Sequence, residues 1–274
     1  MSAIPTSVTE AQFNMHIMPF LSTARRGYVS KIPLYKMFNY VLYRLHTGCQ
    51  WAEVPIEQTD DISWWAVYHH FRKWSRDGSL EQVWQHSVHA VQAELDLSVL
   101  NLDGSHAVAK KGGEAVAYQG RKKAKTSNIL PLTDRNGHIL ATTDIVAGNH
   151  NDAFQLKAQL QTAFKTIKRL GLSIAGAYFN ADSGFDTREA RKVCFNHHVV
   201  PNIAENKRNR QSVKLGRRRL FNAAVYHDRF ASERTFAWID KFRALLVRFD
   251  LKKIYFMGSH FLAFTLINLR NVLA

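Results

Sequence analysis

Val99-Leu100-Asn101-Leu102-Asp103-Gly104-Ser105-His106 ends a short apolar run in a carboxylate, a glycine, a hydroxyl and an imidazole. The run predicts a buried strand over residues 99–105 that delivers Asp103 to a site. An acid in such a place is costly unless it is exposed, paired, or used to hold a metal.

Downstream of it, strands and helices alternate. Strands are predicted over 129–133 and 138–146, joined by Asp134-Arg135-Asn136-Gly137, whose Asn-Gly pair is a hairpin signal. Gly148-Asn149-His150-Asn151-Asp152 reads as a loop that caps a helix carrying Phe154, Leu160, Phe164 and Leu170, with Gly171 ending it. A strand over 174–180 delivers Asp182; a helix over 187–196 and a strand over 199–203 follow. Three strands able to form a meander, then alternating units, predict an α/β fold: a mixed sheet with helices on its faces.

Upstream, residues 1–97 read as helical and aromatic-rich. Thr9 caps a helix reaching about residue 21. Pro33 suits the first turn of a second helix, over 34–46, and Gly48 its end. A third opens at Asp60 or Asp61, runs through Trp64, Trp65, Tyr68, Phe71 and Trp74, and stops at Arg76-Asp77-Gly78; Ser79 caps a fourth. Arg72, Lys73 and Arg76 could meet phosphates as in a helix-turn-helix. The alternative makes the tryptophans core and the basic residues a solvated face.

The 274 residues carry a net charge of +15, and 46% of them are hydrophobic. That charge points to a polyanion, most often nucleic acid. No apolar run approaches the roughly 20 residues of a membrane span. The start shows no secretory pattern, and Cys49 and Cys194 form no ligand-spaced cluster, so a cytoplasmic protein without structural zinc is expected. Residues 207–219 hold seven basic side chains in thirteen and read as a phosphate-contacting loop. The apolar helix predicted from residue 259 onward is expected to pack on the domain or on a second copy.

Three acids fall into one pattern. Asp103 and Asp182 close strands whose ends face one crevice, and Glu233 sits in a helix predicted over 230–250. At about 100° per residue, Ile239, Phe242, Leu246 and Phe249 form an apolar stripe, with Glu233 on the opposite side beside Arg229 and Asp240. Grouped carboxylates repel one another, and Mg²⁺ or Mn²⁺ relieves that repulsion through oxygen ligands. Two such ions about 4 Å apart make a phosphoryl-transfer site. Singly, Asp103 reads as a turn or cap residue, Asp182 as an Asx-turn and Glu233 as a partner of Arg229 or Arg234.

With these residues in view, the chain resembles bacterial insertion-sequence DDE transposases of the IS-five-type group. The similar segments are Leu102–His106 with Ala109–Lys123, Gly148–Asp152, Ala181-Asp182-Ser183-Gly184-Phe185, Glu233-Arg234-Thr235-Phe236-Ala237-Trp238, and, near the N-terminus, Tyr43–Trp51 with Trp74–Gly78. The resemblance implies an RNase H-like catalytic domain with Asp103, Asp182 and Glu233 as catalytic metal ligands. The implied ion is Mg²⁺, with Mn²⁺ able to substitute. It also implies a Tyr-x2-Arg-x3-Glu-x6-Lys signature, which Tyr226, Arg229 and Glu233 match. Asp240 stands where the lysine belongs, with Lys241 one residue later. DNA contacts are expected from Tyr226, Arg229, Lys110, Lys111, Arg121, Lys122, Lys123 and Lys241. Trp238 is expected either to stack on a base or to pack in the core.

The organisation expected is a helical, DNA-binding region over 1–97, a catalytic domain over 98–258 and an apolar helix over 259–274. The expected partner is double-stranded DNA, as element ends and target, met by a homodimer in a synaptic complex, with no membrane involved. The activity expected is cleavage and strand transfer. Its rivals are a nuclease of the same fold without strand transfer and a transposase-derived DNA-binding protein that has lost catalysis.

Overall fold

The computed structural model describes residues 4–23, 30–151, 153–206 and 220–273; the basic run at 207–219 and Asp152 lie outside the described residues. Thr9 opens α1 (Glu10–His16) with a capping box, accepting from the Gln12 N–H while the Gln12 side chain accepts from its own N–H. The helix stops at His16 rather than near residue 21. Pro19 cannot continue it and sits in a separate 3-10 turn, Met18–Phe20. α2 (Leu34–Thr47) begins after Pro33 and ends on Gly48, whose φ of +68° suits glycine. α3 (Trp64–Arg76) and α4 (Ser79–Ala90) follow, and Gly78 rather than Ser79 caps the latter.

Next come β1 (Val99–Leu102), β2 (Ser105–Ala109), β3 (Ala117–Gln119), β4 (Ala124–Ile129), β5 (Pro131–Thr133), β6 (Ile139–Thr142) and β7 (Val146–Ala147). After them run α5 (Leu156–Arg169), β8 (Tyr178–Ala181), α6 (Arg188–Asn196) and β9 (Val200–Ile203). The chain closes with α7 (Ala223–Tyr226), α8 (Phe230–Ile239), α9 (Arg243–Leu246), β10 (Val247–Arg248) and α10 (Lys253–Asn268). The strand expected over 99–105 therefore divides at Asp103-Gly104. The one expected over 129–133 divides before Pro131, which has no N–H for a continuous ladder.

The chain forms two compact units, one of Met1–Gln92, Ala107–Ala115 and Ala237–Ala274, the other of Ala93–His106 and Val116–Phe236. The second holds a five-stranded sheet in the order β6-β5-β1-β8-β9. β5 is antiparallel to both β6 and β1, and the Asn136-Gly137 hairpin joins β5 to β6 as expected. β1, β8 and β9 are parallel. The mixed sheet thus has a three-strand meander followed by two parallel strands. Alternation sends Phe179 of β8 to one face, against Phe164 of α5 at 5.9 Å between ring centroids. It sends Asn180 to the other face, where its side chain donates to Val225 O of α7 at 2.8 Å.

In the first unit α10 packs among α2, α3 and α4. It is buried on almost every side, which explains its all-round apolar sequence. Phe261 stacks on Trp84 at 5.2 Å. A Cβ at Gly258 would lie 2.4 Å from the Ser75 hydroxyl. The helix starts at Lys253, earlier than expected. Within the same unit β10 pairs in parallel with β2, Val247 opposite Val108.

That pairing overturns the single helix expected over 230–250. α8 ends at Ile239, a turn follows in which Lys241 N–H donates to Trp238 O, and Phe242 takes extended backbone. Asp240 and Lys241 lie beyond the helix, so the wheel that placed Asp240 beside Glu233 does not apply. Leu246 and Phe249, read as part of one apolar stripe with Ile239 and Phe242, are exposed while those two are buried. Strand pairing at Val247–Arg248 outweighed a helical periodicity that was real on paper. Among the described residues no helix is long and apolar enough to cross a membrane.

Candidate active site

β1 and β8 run side by side with Asn101 opposite Asn180. Each strand ends in an aspartate two residues later, so Asp103 and Asp182 leave the same edge of the sheet. Both line one cavity of about 390 Å³, together with Gly104, His106, Gln119, Arg121, Lys122, His150, Asn151 and Arg229.

Asp103 is a quarter exposed and already partnered. Oδ1 accepts the Gly104 N–H at 2.8 Å, and Oδ2 accepts Arg229 Nη2 at 2.9 Å. Burial pushes its carboxyl above the ordinary aspartate value, and the charge of Asp182 adds to the rise; Gly104 and Arg229 oppose it without cancelling it. Arg229 Nη1 in turn donates to the Tyr226 hydroxyl at 3.0 Å. Asp182 accepts the Gly184 N–H at 2.6 Å and caps a short 3-10 turn, Ser183–Phe185. The Asx-turn reading therefore holds, and the same residue still faces the cavity.

The far wall comes from β2, the β3–β4 pair and the loop after β7. The Gln119 amide nitrogen lies 3.2 Å from His106 Nε2, and Thr126 Oγ1 lies 3.3 Å from His106 Nδ1. Lys122 Nζ donates to His106 O at 3.2 Å. Gly148 N–H donates to Thr126 O at 2.9 Å, and a Cβ there would fall 1.8 Å from the Thr126 hydroxyl. Only glycine lets the loop approach β4 this closely and carry His150 and Asn151 to the cavity. His150 is stacked on Phe154 at 3.6 Å.

The other expected residues are scattered. Arg121 and Lys122 line the cavity, and Lys123 is exposed beside them. Lys110, Lys111 and Lys241 are exposed residues of the first unit. Trp238 is 8% exposed with the Arg270 guanidinium 4.3 Å over its ring, the core-packing alternative. Glu233 is exposed on α8 and does not line the cavity. Its helix is docked on the β5–β6 turn, where the Thr235 hydroxyl donates to Gly137 O at 3.1 Å and Arg234 Nη2 donates to Asn136 O at 3.2 Å. The sequence places His106 and His150 near the acids, as the cavity shows, but misses Gln119 and Asn151 as cavity residues. The Gly148-Asn149-His150-Asn151 loop was visible as punctuation, but only its approach to Thr126 reveals where it points.

Residues 102–268, more than half of the chain, match the family model described as DDE superfamily endonuclease. The chain belongs to the DDE superfamily of endonucleases. Residues 8–84 of this DDE-superfamily chain match a second family model, "Putative transposase of IS4/5 family". No curated protein matches it. Among solved structures it is similar to the "Mos1 transposase paired-end complex with left transposon end", at 13% identity over 87% of this chain and 79% of that one, with a TM-score of 0.31. The "pre-cleavage Mos1 transpososome" gives 13% identity over 92% and 82%, with a TM-score of 0.31. The "Mos1 mariner paired end complex with Mn" gives 14% over 88% and 79%, with 0.30.

DDE-superfamily enzymes use divalent metal ions. The donors of this DDE endonuclease fit such an ion: two carboxylates and the buried, unpartnered Oε1 of Gln119 line one polar cavity. Among the described residues, no three His, Cys, Asp or Glu side chains are grouped so as to hold a metal. Arg229 supplies the positive charge beside Asp103 in this arrangement.

Proposed function

We propose that the cavity between Asp103 and Asp182 is where this DDE transposase cuts DNA at the ends of its mobile element and joins the freed 3′-hydroxyl to a target strand. The observation that carries the reading is the pair of aspartates at adjacent strand ends, in a polar cavity walled by Arg121 and Lys122. Asp103 and Asp182 would hold Mg²⁺, or Mn²⁺ in its place, with Glu233 as the third ligand. When bound, such an ion supplies positive charge against the charge that builds on the phosphate during in-line displacement.

The chain's own residues do the rest. Arg121, Lys122 and Lys123 hold the phosphate backbone at the cavity mouth. Arg229 gives up its hold on Asp103 and, with Tyr226, turns to the DNA. Lys110, Lys111 and Lys241 add backbone contacts, and the helical region over 1–97 grips the element ends. The catalytic domain is taken over 98–258 and the C-terminal segment over 259–274, with α10 (Lys253–Asn268) running across that boundary. Two ends must be processed together, so the working form is a homodimer in a synaptic complex, located in the cytoplasm on the nucleoid.

A second reading has its own observation. Asp103 is neutralised by Arg229 while Glu233 stands outside the cavity, as a DNA-binding descendant without catalysis would show. Incubation of uncut and of pre-cut element ends with a labelled target and Mg²⁺ separates the possibilities. Joined products support the proposal. Cleavage without joining indicates a nuclease, and salt-sensitive binding with neither product indicates the inactive descendant.

A further inference from the structure

Three asparagines occupy adjoining strands in the core of the second unit. Asn101 of β1 stands opposite Asn180 of β8, and Asn180 opposite Asn202 of β9. All three are at most 1% exposed. Their side chains form a ladder. Asn180 Nδ2 donates to Asn101 Oδ1 at 3.1 Å, and Asn202 Nδ2 donates to Asn180 Oδ1 at 2.8 Å.

The sheet does not need this ladder. Its strands are held by backbone hydrogen bonds, asparagine is poorly suited to strands, and a buried amide is costly unless every polar atom is met. What the ladder gains is a reach off the sheet. Asn180 Nδ2 also donates to Val225 O at 2.8 Å, and Asn202 Nδ2 to Asn222 O at 3.0 Å. Asn202 Oδ1 accepts the Asn222 N–H at 2.7 Å. The face that meets α7 is the one from which Asp103 and Asp182 emerge, since each lies two residues after its asparagine. Four residues past Val225 is Arg229, on Asp103.

We propose that Asn180 and Asn202 are positioning residues: they clamp the chain at Asn222–Val225 to the strands that carry the aspartates, and so fix the position of Arg229 against Asp103 and of the start of the helix that carries Glu233. The catalytic part of this inference rests on the function proposed above; the clamp itself does not.

The test is Asn180→Leu, which keeps the volume and removes the amide. Hydrogen exchange of the full chain is expected to rise about tenfold at residues 223–229, the effect of losing a buried hydrogen bond of ordinary strength. Exchange in β1 and β8 is expected to stay as in the wild type. In the DNA assay kcat should fall by at least tenfold while KM for DNA changes less, because Arg121 and Lys122 are untouched and only the contacts of Tyr226 and Arg229 are loosened. Exchange that rises equally in β1, β8 and 223–229, or rises nowhere, would overturn the clamp. If Asn180→Leu does not fold, Asn202→Leu on the edge strand carries the same comparison. A wild type inert toward DNA would defeat the proposed function and leave the exchange result to decide the clamp.

Discussion

Arg229 is the residue on which the state of the site turns. It neutralises Asp103 at 2.9 Å, in a cavity whose burial and second aspartate both raise the Asp103 carboxyl. Removing the guanidinium leaves two carboxylates short of positive charge. Arg229→Gln is therefore expected to raise Mn²⁺ affinity by about tenfold in the absence of DNA, the size of one charge-assisted hydrogen bond. Calorimetric titration checks this, and an unchanged or weaker affinity would contradict it. The same carboxyl sets a pH dependence. Asp103 must be ionised to bind a cation, and its pKa is raised, so cleavage should decline on acidification at a higher pH than an ordinary aspartate would dictate. A kcat/KM profile at sub-saturating Mg²⁺ measures this, since saturating metal would itself hold the carboxyl ionised; Asp103→Asn should have no such limb to lose.

At the scale of elements, α10 makes its own demand on pH. His260 is fully enclosed, its Nδ1 hydrogen-bonded to Phe256 O at 2.9 Å, and burial holds its pKa down to about 4 against 6.5 outside. The unfolded chain thus binds a proton that the folded chain refuses. Stability is present in full above about 6.5 and is lost as the pH falls toward 4, by roughly 3 kcal/mol across the window. Urea denaturation between pH 4 and 8 should show this slope, and His260→Leu should remove its share; an unaltered slope would contradict the assignment. α10 also shows how much of the fold was legible. Its apolar character was plain in Phe261, Phe264 and Leu266, as were the hairpin at Asn136-Gly137, the Thr9 cap and the strands before both aspartates. Such signals are local. The break of the predicted 230–250 helix was not legible, because Val247–Arg248 pairs with a strand more than a hundred residues earlier in the chain. The loop at Gly148 could be seen but not aimed, since its course depends on a close approach to Thr126.

For the whole molecule, the net charge of +15 makes DNA affinity a function of salt. Arg121 and Lys122 at the cavity mouth should each account for about one unit of the slope of log affinity against log salt. The double variant Arg121→Ala/Lys122→Ala is expected to lower that slope by about two, and a slope equal to the wild type would remove both from the interface. Membership in the DDE superfamily, the mixed sheet and the two strand-end aspartates agree on one chemistry. In the function proposed above its centre is Asp103, and the direct test is Mg²⁺-dependent cleavage of element-end DNA by Asp103→Asn beside the wild type, with DNA binding measured on the same samples. A drop of at least a thousandfold in cleavage with binding retained is the predicted result; cleavage by Asp103→Asn at the wild-type rate would contradict the account.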